Sequence, residues 1–83
     1  MHLVKQATHV GGYKVRITFE DGSVRIADLG PYLDGEVFEP LKNADYFATF
    51  RVDPDTDTIV WDNGADLSPD FLYEIGRAAS SAA

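Results

Sequence analysis

The amino-acid sequence contains no cysteine, so neither a disulfide framework nor a thiolate metal site is open to this protein. No apolar run approaches the roughly 18 residues that span a bilayer, and the N-terminus lacks the basic and then apolar pattern of a secretory signal. His2 and His9 are the only histidines, too few for a zinc site with three or four convergent ligands. We therefore expect a cytoplasmic protein with no membrane association and no cofactor.

Basic residues are also scarce. Seven lysines and arginines stand against fourteen aspartates and glutamates, which gives a formal net charge of −7. This charge opposes long-range attraction to nucleic acid or to an anionic membrane, and it suits a basic macromolecular partner. The bases are concentrated at the start of the chain: residues 1–25 hold four bases and two acids, whereas residues 26–83 hold three bases and twelve acids.

The sequence does contain enough apolar material for a folded core. Hydrophobic residues make up 45% of the chain, and 12% of the residues are aromatic. Such a composition is typical of a globular protein and argues against disorder. A chain of 83 residues predicts one domain, 1–83. Its core should be thin, because folding at this size buries only about 60% of the surface that the unfolded chain exposes.

The segment 59–75 holds the strongest local signals. Its strand-like start ends in the only tryptophan, and an Asn-Gly pair that tolerates positive φ follows. Ser68 then offers a helix N-cap and Pro69 a first helical position, which predicts a helix over about residues 69–79. Trp61 and Phe71 are interpreted as core residues, with an aromatic ligand pocket as the alternative. The residues that define this structural signature are Trp61, Asn63, Gly64, Asp66, Ser68 and Pro69.

Three strands near the N-terminus are predicted to form an antiparallel meander, over about residues 4–10, 13–19 and 24–28. Gly11-Gly12 and Asp21-Gly22 separate them, and both pairs favour two-residue hairpin loops. Loops of that length fix which residues lie opposite each other. The expected pairs are Val10 with Tyr13, Thr8 with Val15, Val4 with Phe19, Phe19 with Val24, and Ile17 with Ile26.

Side-chain alternation along these strands divides the sheet into an apolar and a basic face. The expected buried face holds Val4, Val10, Tyr13, Val15, Ile17, Phe19, Val24 and Ile26. The expected outer face holds Lys5, His9, Lys14, Arg16, Thr18 and Arg25.

The middle of the chain is predicted to cross the core irregularly before a second strand pair. Glu39 to Leu41 favours a short helical turn, and Asn43 can cap a brief helix over residues 44–48. Strands are expected over about residues 49–52 and 58–61. Together with the C-terminal helix, these elements predict a two-layer α+β fold whose helices cover the apolar face of the sheet.

Acidic and histidine side chains were considered as catalytic or metal-binding groups. The run from Asp53 to Asp57 alternates acids as a calcium loop does, but it lacks the glycine and glutamate that an EF-hand requires, so we interpret it as a solvated turn. His9, Asp62 and Asp66 could take part in acid–base chemistry, yet no nucleophile or partner group can be assigned to them. We expect a protein that is not an enzyme.

The basic outer face is the best candidate for binding. It could follow a phosphate backbone or dock an acidic partner, or it could simply be the solvated face that antiparallel sheets commonly have. It lacks the interleaved aromatic residues on which single-stranded nucleic acid stacks. The candidate partner-binding residues are Lys5, His9, Lys14, Arg16 and Arg25.

The sequence also resembles the bacterial family called domain of unknown function 2442. The resemblance rests on Phe19-Glu20-Asp21-Gly22, Asp28-Leu29, Gly35 to Leu41, Phe47, Trp61 to Pro69, and Leu72-Tyr73. Relatives often carry proline where this chain has Asp62. The resemblance implies a small two-layer α+β domain, similar to the N-terminal domain of some helix-turn-helix regulators. It also implies a link to small proteins encoded in toxin–antitoxin-like pairs, and it transfers no catalytic residue.

The function that these observations favour is a non-enzymatic interaction or regulatory module, such as an antitoxin-like partner of another small protein. A homodimer is the second possibility for the partner. The alternative function is a nucleic-acid or small-ligand binding domain that uses the basic outer face, although the net charge argues against nucleic-acid binding by this chain on its own.

Overall fold

A computed structural model describes residues 2–78 and shows an α+β fold, as the sequence predicts. One sheet has the strand order β1-β2-β3-β6, and a second sheet pairs β4 with β5. The strands are β1 (Val4–His9), β2 (Lys14–Phe19), β3 (Val24–Asp28), β4 (Arg51–Asp53), β5 (Thr58–Val60) and β6 (Arg77–Ala78). The helices are two 3₁₀ turns, Gly30–Tyr32 and Glu39–Lys42, and two α-helices, α1 (Ala44–Phe47) and α2 (Pro69–Ile75).

The hydrophobic core lies against one face of the four-stranded sheet. Val15, Ile17 and Phe19 alternate along β2, and each is fully buried. The crossing segment, the second sheet and α2 supply the opposing side chains. The buried hydrophobic residues are Val4, Val15, Ile17, Phe19, Ala27, Leu29, Leu33, Leu41, Phe47, Ile59, Val60, Trp61, Ala65 and Leu72.

Both hairpin loops are one residue longer than the sequence predicts. In the first, the Val10 N–H donates to the Lys14 carbonyl (3.2 Å), which leaves residues 11–13 in the loop. In the second, the Phe19 N–H donates to the Ser23 carbonyl (2.9 Å), which leaves residues 20–22 in the loop, with Gly22 at φ 89°. Three-residue hairpin loops commonly end in a residue with positive φ, so the Asp-Gly pair serves this loop as well as the shorter one.

The longer loops make most of the predicted strand register wrong. Ile17 pairs with Arg25 rather than Ile26, and Thr18 pairs with Val24. The pair Val4–Phe19 is confirmed, because a bulge between Val4 and Gln6 absorbs the one-residue offset. The other predicted pairs are replaced: His9, not Thr8, lies opposite Val15, and Val10 pairs with Lys14 rather than with Tyr13.

A one-residue slip moves side chains from one face of a sheet to the other. His9 and Arg25, predicted on the outer face, therefore lie on the covered side with Val15 and Ile17. Conversely, three residues predicted on the buried face lie on the outer face: Val10, Val24 and Ile26.

Helix α2 is shorter than predicted. Ser68 caps it and Pro69 begins it, but it ends at Ile75 instead of continuing to about residue 79, which lies outside the described residues. Gly76 leaves the helix in an extended conformation (ψ 150°), and residues 77–78 then pair with β3 as β6. Glycine fits there because a β-carbon at Gly76 would lie 2.8 Å from the Arg25 β-carbon.

The predicted short helix after Asn43 is present. The Asn43 side chain accepts hydrogen bonds from the backbone N–H groups of Asp45 and Tyr46 (2.9 and 3.2 Å). Thr49 remains tied to this helix through its N–H and hydroxyl, both of which donate to the Tyr46 carbonyl. Strand β4 consequently begins at Arg51, two residues later than predicted.

Candidate interaction surface

The tryptophan of the signature segment anchors two parts of the core to each other. Trp61 is 2% exposed, and its indole N–H donates to the Phe47 carbonyl (2.8 Å). The Trp61 backbone N–H donates to the Ala65 carbonyl (2.9 Å), which closes the turn between β5 and α2. Trp61 is thus a core residue, as predicted, whereas Phe71 is only half-buried and contacts the Tyr32 ring edge-on.

Asn63 and Gly64 shape that turn. The Asn63 side chain accepts from the Ala65 N–H (3.0 Å) and donates to the Val37 carbonyl (2.9 Å), while Gly64 adopts φ 92°. Asp66 forms an isolated β-bridge with Val60. At the start of α2, the Ser68 hydroxyl accepts from the Phe71 N–H (3.5 Å). The side chains of Asn63 and Ser68 therefore bond to the backbone of the chain itself and shape the turn and the start of α2.

The residues considered for acid–base chemistry lie in separate local environments. Asp62 is ion-paired with Arg51 on the surface of the second sheet. His9 Nε2 donates to the Gly12 carbonyl (2.9 Å), and its ring lies edge-on to Phe47. Asp66 is exposed beside the turn.

The acidic turn is arranged by its own backbone. The Asp53 side chain accepts from the Asp55 N–H (2.8 Å), and its carbonyl accepts from the Asp57 N–H (2.8 Å). Asp57 has φ 55°, and its carbonyl accepts from the Val4 N–H, which ties the turn to β1. Across residues 2–78, no group of three or more His, Asp or Glu side chains is placed to hold a metal ion.

Arg25 connects β3 to the end of α2. Its guanidinium carbon lies 3.7 Å from the centre of the Tyr73 ring, and Nη1 donates to the carbonyls of Tyr73 (3.0 Å) and Gly76 (3.2 Å). The His2 ring also stacks on Tyr73, at 3.6 Å between centroids. Two groups so close to the ring centre must occupy opposite faces, so Tyr73 is sandwiched between them. Because the register differs by one residue from the prediction, Arg25 packs on the covered side of the sheet and holds α2 to β3.

The remaining basic residues divide into paired and unpaired groups. Lys42 pairs with Asp34 and Glu39, and its pKa is raised mainly by the hydrogen bond to Glu39. Arg51 pairs with Asp62. Besides Arg25, which bonds to backbone carbonyls, four lysines and arginines among the described residues have no acidic side chain within salt-bridge distance: Lys5, Lys14, Arg16 and Arg77.

Three of these unpaired bases share the outer face of the sheet. One row of paired residues crosses all four strands, in the order Thr8, Arg16, Ile26 and Arg77. The next row holds Gln6, Thr18 and Val24, and a third holds Val10, Lys14 and Asp28. Lys5 is exposed at the bulge in β1.

Two apolar residues lie at the middle of this outer face. Val24 and Ile26 are half-buried, and neither belongs to the core cluster or packs against it. Sequence reasoning missed them because the assumed two-residue loops placed both in the core. It missed Arg77 because that residue was assigned to a helix. A glycine at position 76 was the available signal that the helix ends before Arg77.

A model of the family described as protein of unknown function DUF2442 matches residues 4–78. The chain belongs to the DUF2442 family. The match begins at the first residue of β1 and ends at the last residue of β6. The DUF2442 unit in this chain therefore includes all the strands and helices of the described structure.

No curated protein and no solved structure shows significant similarity to this DUF2442 chain. Within residues 2–78, neither of its α-helices has the length and apolar character needed to cross a membrane.

Proposed function

We propose that this DUF2442 protein is a non-enzymatic interaction module that regulates another small protein, in the manner of an antitoxin, and that it docks through the outer face of its four-stranded sheet. The observation that carries this proposal is the composition of that face. Arg16 and Arg77 flank Ile26, and Lys14 lies on the same face in the adjacent row; none of these three bases has an ion-pair partner. Ile26 and its neighbour Val24 are apolar residues outside the core. Unpaired charges around a small apolar centre are the arrangement of a protein interface.

The face is a better docking surface than the β1 edge of the sheet. At this edge, β1 is interrupted by a bulge near the exposed Lys5. Bulges and lysines both discourage edge-to-edge pairing. A partner that added a strand beside β1 would meet these obstacles, whereas a partner on the face would not.

The roles of the polar residues support a non-enzymatic function. Asp62, His9 and Arg25 each bond to nearby groups of the chain rather than converging on a shared cleft. The open depression beside α2 is lined by His2, Arg25, Asp70, Tyr73 and Glu74. The first four of these residues hold the N-terminal segment and β3 to α2 by stacking and hydrogen bonds.

The proposal is tested by recovering partners of the tagged protein from its native cell lysate and identifying them by mass spectrometry. The wild type and Arg51→Glu should retain the same stoichiometric small protein. The double variant Arg16→Glu/Arg77→Glu should lose it while remaining folded. Arg51→Glu is a control for charge reversal away from the outer face, because Arg51 is an exposed arginine on the other sheet, where it pairs with Asp62.

Retention by all three proteins would mean that the partner binds elsewhere, and the absence of any partner would remove the proposal. Self-association is checked separately by sedimentation of the purified wild type. A dimer that dissociates in the double variant would assign the face to a second copy of the chain.

The second candidate function is binding of a nucleic acid or small anionic ligand on the same face, which the three unpaired bases favour. Electrophoretic mobility shift with single- and double-stranded oligonucleotides at low salt separates it from protein binding. A shift that Arg16→Glu abolishes would support this second function.

A further inference from the structure

The cross-strand row that contains Ile26 is wide enough for an α-helix to pack on it. Arg16 on β2 and Arg77 on β6 are paired with Ile26 from either side. Neighbouring strands lie about 4.8 Å apart, so the α-carbons of the two arginines are separated by roughly 10 Å across β3. An α-helix with its side chains is about 10–12 Å wide. A helix lying along β3 would therefore have one arginine on each flank.

The two apolar residues lie along β3, in the direction that the axis of such a helix would follow. Val24 and Ile26 are two positions apart in β3, so their side chains leave the same face about 6.5 Å apart. This spacing is close to one turn of an α-helix, about 5.4 Å, which suits apolar residues on successive turns of a partner helix. On the outer face, β3 is apolar at Val24 and Ile26 and ends at Asp28. Arg16 and Arg77 flank Ile26 from the two neighbouring strands.

We propose that the outer face binds an amphipathic, acidic helix of a partner protein, which lies along β3 with its apolar side on Val24 and Ile26 and carboxylates on its two flanks bonded to Arg16 and Arg77. This inference rests on the proposed function and specifies the chemistry of the partner. Arginine binds carboxylate through a planar, two-pronged set of donors, so the pairs also orient the helix. The partner's local surface is acidic even though the DUF2442 chain itself carries a net charge of −7.

Nucleic acid and a second copy fit this face less well. The three rows described on the outer face contain no aromatic side chain on which a base could stack. Face-to-face contact of two copies centred on Ile26 would place Arg16 and Arg77 against the same arginines of the other copy. Like charges at an interface suppress that pairing.

The test is a charge-swap titration monitored by ¹⁵N-¹H NMR of the folded chain. The first probe is a designed helical peptide with leucine on one face and glutamate on both flanks; the second is the same peptide with lysine in place of glutamate. The glutamate peptide should shift the backbone amides of Arg16, Thr18, Val24 and Ile26. Its affinity should fall at least tenfold in Arg16→Glu/Arg77→Glu.

The lysine peptide tests the reversed charges. It should bind Arg16→Glu/Arg77→Glu more tightly than it binds the wild type. A purely structural role for the two arginines would not reverse the peptide preference. Arg51→Glu serves as the control and should bind both peptides as the wild type does. Raised salt should weaken the glutamate complex, because the arginines are exposed.

Several results would overturn the helix inference: no binding of the glutamate peptide, amide shifts confined to the covered side, or equal affinity for both peptides. An oligonucleotide that shifts the same amides in place of the peptide would assign the face to nucleic acid. A lysate partner that depends on Arg16 and Arg77, together with a glutamate peptide that does not bind, would support the proposed interaction function. The same result would show that the partner does not bind through an acidic helix. If no lysate partner is found, the proposed function fails independently of the peptide result.

Discussion

The indole nitrogen of Trp61 lies 2.8 Å from the carbonyl oxygen of Phe47 and donates a hydrogen bond to it inside the core. The two rings also pack together, with centroids 5.6 Å apart. Phe47 is the last residue of α1, and Trp61 directly follows β5, so this contact joins the crossing segment to the second sheet. A buried polar group without a hydrogen-bond partner destabilises the folded protein. The indole N–H of Trp61 and the carbonyl of Phe47 each satisfy the other.

Trp61→Phe should destabilise the protein by about 1–3 kcal/mol, because the Phe47 carbonyl loses its buried donor while most of the ring volume remains. The free energy of unfolding is measured by urea denaturation followed by circular dichroism, since Trp61 is the only tryptophan and its fluorescence is lost with it. Val37→Ala is the control, because Val37 is 43% exposed. Equal stabilities of the two variants would contradict a structural role for the hydrogen bond.

Arg25→Ala should cost about 1–3 kcal/mol, because it removes two hydrogen bonds to backbone carbonyls and the contact with the Tyr73 ring. Arg16→Ala should change stability by less than about 0.5 kcal/mol, because Arg16 is exposed and unpaired. Thermal unfolding of the two variants compares them directly. Similar losses at both positions would show that Arg25 does not hold α2 to β3.

Ile17→Asp and Thr18→Asp test the two faces of β2. Ile17 is fully buried, so an aspartate there places an unpaired charge in the core and should cost more than about 4 kcal/mol, enough to unfold a small domain. Thr18 is half-buried on the outer face beside Val24, so its aspartate should leave the protein folded. Circular dichroism and amide dispersion in NMR report folding. A folded Ile17→Asp protein would disprove the assignment of the covered face.

Ser23→Ala should raise the pKa of Asp21 toward its ordinary value. In the second hairpin the Ser23 hydroxyl and N–H both donate to the Asp21 carboxylate, and these bonds lower its pKa. A lowered folded-state pKa means that the carboxylate stabilises the protein above its unfolded-state pKa and that this contribution is lost as the pH falls through the folded-state pKa. An NMR titration of Asp21 in both proteins measures the change. The backbone N–H of residue 23 remains in the variant, so an unaltered pKa would exclude the Ser23 hydroxyl as the main cause.

Structural features that depend on residues close together in the sequence, such as helix caps, were predicted correctly. Asn43 caps α1 and Ser68 caps α2, since a cap needs only the N–H groups two or three residues further on. Buried alternation along β2 was also predictable, because successive side chains of any strand point to opposite faces. Trp61 was assigned to the core for its size and its place at the end of a strand.

The composition of the outer sheet face was less predictable, because it depends on strand register. Lys14 and Arg16 lie on the outer face as predicted, but Arg25 and His9 do not. Asp-Gly is compatible with a two-residue loop and with the three-residue loop that the hairpin adopts. A change of one residue in loop length decides whether Arg25 or Ile26 lies on the covered face of the sheet. No interaction between residues close in sequence is strong enough to favour one loop length over the other.

The sequence by itself determined the α+β class, the family, the helix caps and the buried side of β2, because each of these follows from composition or from contacts within a few residues. Only the tertiary structure decided which side of β3 faces the core and that the chain after Gly76 returns to pair with β3. Those choices depend on partners far along the chain: Arg25 reaches Tyr73 and Gly76, and β6 pairs with β3. Burying Ala27 while Arg25 caps α2 is favourable only when all of these elements pack together, and no local pattern contains that free energy.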